Sequence, residues 1–318
     1  MRTTKNTANL GKSEIISEIP LTCSDELAAV EFLETRLWKG QPKCHHCQSA
    51  NIYKMVDAKT GQRNKRFLWR CHDCKGQFTV RLGTVFEESR LPLRHWCYAF
   101  WRASTSKKGV SALEIQRQCQ ISYKSALFLM HRIRHAMTPD LAKFPKMSGT
   151  VEVDETYIGG KKKYVGRGSL TGKTPVVSLL ERGGRVHSKV MPCVNGNNLK
   201  AFVRKNVAVL SEIHTDENRG YCGVRSLYEH HTVKHAMGEY ARREKNRLVT
   251  TNSVEGFFSL LKRGITGIYH AVSKEHLHRY LGEFDFRYNA RYMNDGERTE
   301  LAIQSAQGKR LSGLEYRA

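Results

Sequence analysis

The sequence predicts an α+β chain in which small N-terminal modules lead into a mixed α/β sheet with flanking helices. Three observations predict it. Two Cys-x-x-Cys pairs bracket a basic, strand-like stretch, residues 91–137 carry apolar side chains at helical spacing, and from Thr150 strands come first and then alternate with helix.

With 318 residues, 40% of them apolar, the chain has material for packed cores in two or three domains. Lysine and arginine outnumber aspartate and glutamate by 53 to 30, and the resulting +23 is spread along the chain. A polyanion partner is expected, held by counterion release and therefore salt-dependent. No apolar run reaches the ~18 residues of a spanning helix, and the first twenty residues have no signal-peptide core. The expected setting is a reducing cytoplasm, on the nucleoid. There the nine cysteines serve as metal ligands and buried thiols, not as a disulfide framework.

Residues 1–22 are polar, and disorder is expected in part of them. A helix follows from Ser24 to Gly40, with Asp25 and Glu26 in its first turn and Leu27, Val30, Leu33 and Leu37 on its packing face. Cys44-His-His-Cys47 and Cys71-His-Asp-Cys74, separated by 23 residues, have the spacing of a zinc ribbon. Tetrahedral Zn²⁺ takes four soft ligands, and each knuckle supplies two. Strands are expected at 66–70 and 77–80. Lys59, Arg63, Lys65, Arg66 and Arg70 make the ribbon either a DNA-contacting surface or a solvated basic hairpin.

Trp96, Phe100 and Trp101 form an aromatic core stripe, and Cys97 and Cys119 read as small buried residues. Residues 111–119, a break at 120–122, and 123–137 read as helix, tight turn, helix. Either this pair is a helix-turn-helix that turns Tyr123, Lys124 and His131, Arg132 or Arg134 toward a duplex, or it is two antiparallel helices of an ordinary bundle. In both, Ala126, Leu127, Met130 and Ile133 pack inward.

Pro139, Pro145 and Gly149 mark a boundary. Thr150–Ile158 is expected as a strand, then a basic run over 161–167, a hairpin of 175–180 with 185–190, a helix over 198–209, and a strand over 211–215 that ends at Asp216. In the stretch 250–268, Asn252, Glu255, Ser259 and Lys262 fall within about a quarter turn of a helix while Val254, Phe257, Phe258 and Leu261 gather opposite. Asn252 or Ser253 is its N-cap and Gly264 its stop. Leu277, Leu281, Phe284 and Tyr288 mark one more amphipathic helix. The expected division is 1–40, 41–82 (ribbon), 83–148 (helical module), 149–295 (sheet domain) and 296–318 (tail).

Asp154 and Asp216 each end an apolar strand-like run, and Glu255 lies on the polar stripe of a helix. Three acids delivered by two strands and a helix point to divalent-metal phosphoryl transfer, which needs carboxylates to hold two ions about 4 Å apart. The segments VEVDETYIGGK (151–161), HTDENRGY (214–221) and TNSVEGFFSLLKRGITGIYHAVSKEHLHRYLGEFDFRYN (251–289), behind the ribbon, resemble the DDE insertion-sequence transposases of the ISXO-like group, bacterial relatives of the Merlin transposases. The resemblance runs from about residue 25 to residue 290. It implies an RNase H-like catalytic domain, binding of terminal inverted repeats, metal-dependent strand cleavage, and joining of the 3′-OH to new DNA.

It further implies Mg²⁺ or Mn²⁺ on Asp154, Asp216 and Glu255, with Asn252 a second candidate for the third position, beside structural Zn²⁺ on Cys44, Cys47, Cys71 and Cys74. Lys262 would sit at a phosphate. Lys161, Lys162, Lys163, Arg167, Lys124, Arg132 and Arg263 would contact DNA. The implied partners are double-stranded DNA, as transposon ends and target, and further copies of the chain in a homodimer or higher oligomer. No membrane is implied. The alternatives are a catalytically inactive DNA-binding regulator and an RNase H-like nuclease. The chain departs from the family pattern at Thr250, where histidine is common, and at 233–236, where Val-Lys-His-Ala replaces Val-Asn-His-Ser. His214, His230, His231 and His235 are expected to be satisfied or exposed, not catalytic.

Overall fold

The computed structural model describes residues 14–159, 172–245 and 247–311. In chain order the elements begin with α1 (Glu14–Ser24), α2 (Glu26–Trp38), β1 (Ile52–Lys54), β2 (Trp69–Cys71), β3 (Gln77–Phe78), α3 (Leu93–Thr105), α4 (Ala112–Cys119) and α5 (Tyr123–Met137). They continue with β4 (Thr150–Ile158), β5 (Thr174–Glu181), β6 (Val186–Val190), α6 (Gly196–Asn206), β7 (Glu212–Thr215) and β8 (Glu229–Thr232). Last come β9 (Ala241–Glu244), β10 (Arg247–Thr250), α7 (Asn252–Gly264), α8 (Leu277–Asn289) and α9 (Asp295–Gln304). The described residues divide into two units, one within 1–137 and 291–318 and the other within 138–290.

In the first unit, Asp25 caps α2 by accepting from the Ala28 amide at 2.7 Å, and Lys39 ends it in the left-handed region at φ 50°. Residues 14–24 are helical where partial disorder was expected. Ile19 and Thr22 of α1 are buried, and the helix packs on α2 and α3. That tertiary burial holds a helix whose own sequence, interrupted by Pro20, is weakly patterned. The ribbon is a three-stranded antiparallel sheet in the order β1-β2-β3, with Trp69, Cys71 and Phe78 in its core against Trp38. Arg63 does not face outward. It pairs with the buried Glu34, donating from Nη1 at 2.9 Å, and Trp69 Nε1 donates to the same carboxylate at 2.8 Å.

Ser111 caps α4, and Gln120, at φ 54°, turns the chain into α5. Ala126, Met130 and Ile133 are buried as expected and Trp96 and Phe100 fill the core of α3, while Leu127 and Trp101, expected with them, are half-buried. The second half of α5 is buried all round: α3, α4 and α9 pack on it, and His131, Arg132 and Arg134 lie inside. Only its first turn, with Tyr123 and Lys124, is exposed among the positions expected to meet a duplex.

The second unit is built on a five-stranded sheet in the order β6-β5-β4-β7-β8. The β6-β5-β4 part is antiparallel, while β4, β7 and β8 run parallel. Alternation along the strands sends Val151, Val153, Val177 and Leu179 to one face, under Leu199, Phe202 and Val203 of α6. Ile158, Val176, Leu180 and Val186 go to the other, under Val254, Phe257, Phe258 and Leu261 of α7 and Leu277, Leu281 and Phe284 of α8. Each such side chain, fully buried, contributes about 1.5–3 kcal/mol. Asp285 of α8 fastens the second layer by accepting from Ser188 N and Oγ, both at 2.7 Å. This is the mixed sheet with flanking helices that the sequence predicts. The strand β8 and the hairpin β9-β10 have no counterpart in that reading. No helix among the described residues is long and apolar enough to cross a membrane.

Candidate active site and ribbon metal centre

In the ribbon, each knuckle closes on a residue in the left-handed region, Gln48 at φ 61° and Lys75 at φ 60°. One sulfur atom from each of Cys44, Cys47, Cys71 and Cys74 lies within 4.8 Å of all the others. Cys44 Sγ is 3.5 Å from Cys74 Sγ, and Cys47 Sγ is 3.6 Å from Cys71 Sγ. A tetrahedron with metal–sulfur bonds of about 2.3 Å has edges of about 3.8 Å, so four thiolates here fit one soft cation. The Cys74 backbone N–H lowers the Cys71 thiol to about 7, while Cys47, in spite of the Ser49 backbone N–H, is pushed up to about 12 by the crowding of Cys74 and by desolvation. The ribbon histidines are otherwise engaged. His46 Nε2 sits 3.2 Å from Gln77 O, His72 packs on Tyr53, and His45 covers Gly83, where an added Cβ would come within 2.3 Å of the ring.

The acids meet where the sheet of the second unit opens. The parallel register of β4 with β7 ends at the pair Glu152 and His214, so β4 runs on past its partner while β7 turns away after Thr215. Asp154, Glu155 and Asp216 lie in that gap, each placing an oxygen within 4.8 Å of the other two. Asp154 accepts from the Glu155 amide at 2.7 Å, and Asp216 accepts from the Asn218 amide at 3.0 Å. Glu155 points off the opposite face of β4, where Tyr221 Oη donates to it at 2.8 Å and Asn218 Nδ2 donates to its other oxygen. Burial, reinforced by the charges of Glu155, Asp216 and Glu255, pushes Asp154 up to about 8. Burial likewise raises Asp216 and Glu155 above the usual carboxylate range.

Glu255, in the first turn of α7, stands beside this trio without joining its tightest group. Its charge raises both aspartates, and its Oε1 accepts from Thr251 Oγ1 at 3.0 Å and lies 3.1 Å from His235 Nε2. Asn252 is exposed; its backbone N–H donates to Thr250 Oγ1 at 3.2 Å. Lys262 and Arg263 are exposed on the last turn of α7, with Arg263 Nε donating to Ser259 O at 3.1 Å. Lys161, Lys162, Lys163 and Arg167 lie outside the described residues.

Arg132 corrects an expectation. It is 2% exposed, and its guanidinium donates to Val85 O at 2.8 Å, to Leu311 O at 3.0 Å and to Glu87 O. Carbonyls from segments distant in the chain thus take the cation off any DNA-facing surface. Glu155 is a site residue that the sequence reading passed over, although it adjoins Asp154 in a motif singled out there. The histidines are held: His230, near 4 because of burial, lies 2.9 Å from Thr215 Oγ1, and His231 lies 3.1 Å from Glu244. His235, however, touches a candidate site residue.

Residues 146–289 match the ISXO2-like transposase domain, and residues 24–77 match the transposase zinc-ribbon domain. A protein of Halobacterium salinarum, described as an uncharacterized protein in transposable element ISH50, is 26% identical over 287 residues, covering 84% of this chain and 92% of its own. Among solved structures, the Mos1 strand transfer complex is similar over 58% of this chain and 73% of its own, at 15% identity and a TM-score of 0.20. The Mos1 transposase paired-end complex with left transposon end is similar over 58% and 74%, at 14% identity and a TM-score of 0.20.

Proposed function

We propose, for a chain that belongs to the ISXO2-like transposases of insertion sequences, that its second unit cuts DNA at the ends of such an element and joins the freed 3′-OH to target DNA. The observation that carries this reading is the convergence of Asp154, Glu155 and Asp216 at the open end of the sheet, with Glu255 alongside, in a chain of charge +23.

Crowded, half-buried carboxylates of raised proton affinity are a set that divalent cations relieve. Mg²⁺ or Mn²⁺ held by Asp154, Asp216 and Glu255 would supply Lewis-acid polarisation of the scissile phosphate and of the attacking oxygen. Tyr221 and Asn218 fix the Glu155 carboxylate at the rim of that set. The electrostatic reach of Glu255 to both aspartates favours it over Asn252 as the third ligand. Lys262, seven residues on and about 10 Å along the helix axis, offers a point charge to a neighbouring phosphate. In-line attack needs no covalent link to the chain.

Zn²⁺ on the four ribbon cysteines would hold the N-terminal fold. Lys124 and Tyr123 at the start of α5, with Arg263 and the basic run 161–167, would meet the duplex, and two or more copies of the chain would hold paired ends on the nucleoid. The test uses terminal-repeat DNA in Mn²⁺. Wild type should nick the ends and join pre-cut 3′-OH ends to target, while Asp154→Asn should abolish both and keep duplex affinity. Cutting without joining would make the chain a nuclease, and neither activity would make it a regulator.

A further inference from the structure

A layer of polar groups lies under the acids, and the proposed reaction does not yet use it. Glu152 of β4 is fully buried at 0% exposure. Its carboxylate accepts from Ser253 N at 2.8 Å, Ser253 Oγ at 2.9 Å and Val254 N at 3.0 Å, the first amides of α7. Thr251, at the N-cap position of that helix, makes no side-chain cap bond, so a residue from the sheet caps the helix instead. Arg182, at the β5-β6 turn, donates to the same carboxylate from Nη2 at 2.9 Å and Nε at 3.1 Å, and from Nη1 to Leu248 O at 2.9 Å. His214 of β7 is also fully buried. Its Nε2 donates to Glu212 at 2.7 Å, which leaves Nδ1 to accept from the Thr250 amide at 3.2 Å, with Arg182 Nη2 3.1 Å away.

The three members that come from β4, β7 and α7 share one relation to the site. Glu152 stands two residues before Asp154, His214 two before Asp216, and Ser253 two before Glu255. On a strand that spacing puts both side chains on one face, so Glu152 lies directly behind Asp154. Glu152 is fully buried while the Arg182 side chain is 32% exposed, and a carboxylate buried against a cation is a weak stabiliser compared with an apolar group of the same volume, so stability alone is a poor account of this pair. Two guanidinium N–H groups converge on Glu152 Oε1 while Oε2 takes the two helix amides, so the charged, short contacts are well suited to fixing distances.

We infer that Glu152 is the positioning residue of the acid centre: with Arg182, His214 and Ser253 it ties the two strands and α7 into one plate, and so sets how far Glu255 stands from Asp154 and Asp216. The inference rests on reading those acids as a metal centre. It does not require that the chain join DNA ends.

The experiment measures Mn²⁺ binding by the full-length protein, following free Mn²⁺ by electron paramagnetic resonance, with no DNA present. In the double variant Glu152→Leu/Arg182→Met, which removes both charges at similar volume, Mn²⁺ affinity should fall about 10- to 100-fold while circular dichroism and ribbon zinc content stay unchanged. Adding Glu255→Ala should cost the wild type affinity but cost the double variant little more, because Glu255 is already out of place. Ser253→Ala, which keeps the backbone donors and the ion pair, should weaken Mn²⁺ binding mildly in the same direction. It decides the matter if the double variant does not fold. Unchanged Mn²⁺ affinity in the folded double variant, or a full and additive Glu255→Ala penalty within it, overturns the inference while leaving the metal centre standing. A wild type that binds no Mn²⁺ through Asp154 removes the metal centre and this inference with it.

Discussion

Asp154 carries the sharpest consequence of burial. Its carboxyl titrates near 8 in the fold against 3.8 ordinarily, so the protonated form is the one the metal-free fold favours. The stability it contributes is whole below about pH 4, declines as the pH rises toward 8, and is gone above that. Asp154→Asn, neutral at every pH, should therefore melt several degrees higher than metal-free wild type at pH 8.5 and at about the same temperature near pH 4, which thermal scans across that range would check. Equal melting differences at both ends would contradict it. Arg132 gives a second case. Arg132→Ala strands three carbonyls and should cost about 2–4 kcal/mol in urea unfolding. A fold left at full stability, with duplex binding lost, would return Arg132 to the DNA surface. Asp216 was legible because it follows the apolar strand β7, whereas Asp154, expected at a strand end, lies in the middle of β4 and was picked out only by the apolar run 150–153 before it. Glu155 was not legible, because alternation turns it to the far face and its partners Asn218 and Tyr221 lie more than sixty residues away. Arg132 fits a duplex-facing stripe on its own helix, and only Val85, Glu87 and Leu311 reveal that it is enclosed.

Among the elements, the ribbon is the one whose existence hangs on a ligand. Its strands are two or three residues long, and its core is essentially Trp69, Phe78 and the cysteines, too little apolar area to fold alone. A chelator such as EDTA should release about one Zn²⁺ per chain and unfold β1–β3, seen as new proteolysis between residues 44 and 78, while the sheet of the second unit keeps its far-ultraviolet signal. Retention of the ribbon after metal loss would refute this. The stripe of α7 was readable because Val254, Phe257, Phe258 and Leu261 repeat at helical spacing. The hairpin β9-β10 was not, since ARRE and RLVT are charged, show little alternation, and are held by pairing with each other and by Arg242 with Glu239 and Glu244.

At the level of the molecule, the first unit is discontinuous in sequence. Helix α9, capped by Asn294 and Glu297 in a reciprocal box, packs on α1, α2, α3 and α5 and buries Ala302 and Ile303. Nothing in its weakly patterned sequence says which earlier segments it covers. Truncation after Ala290 should lower the melting temperature of the first unit by roughly 10 °C or more and leave the second unit's transition in place, resolved by calorimetry. A single, unshifted pair of transitions would show that α9 is dispensable.

That arrangement has a consequence for synthesis. A ribosome completes the sheet unit before it releases the last helix of the unit it began with, so throughout translation the cysteine-bearing part waits without one wall. Any nascent or prematurely ended product would carry a finished sheet unit and an incomplete first unit.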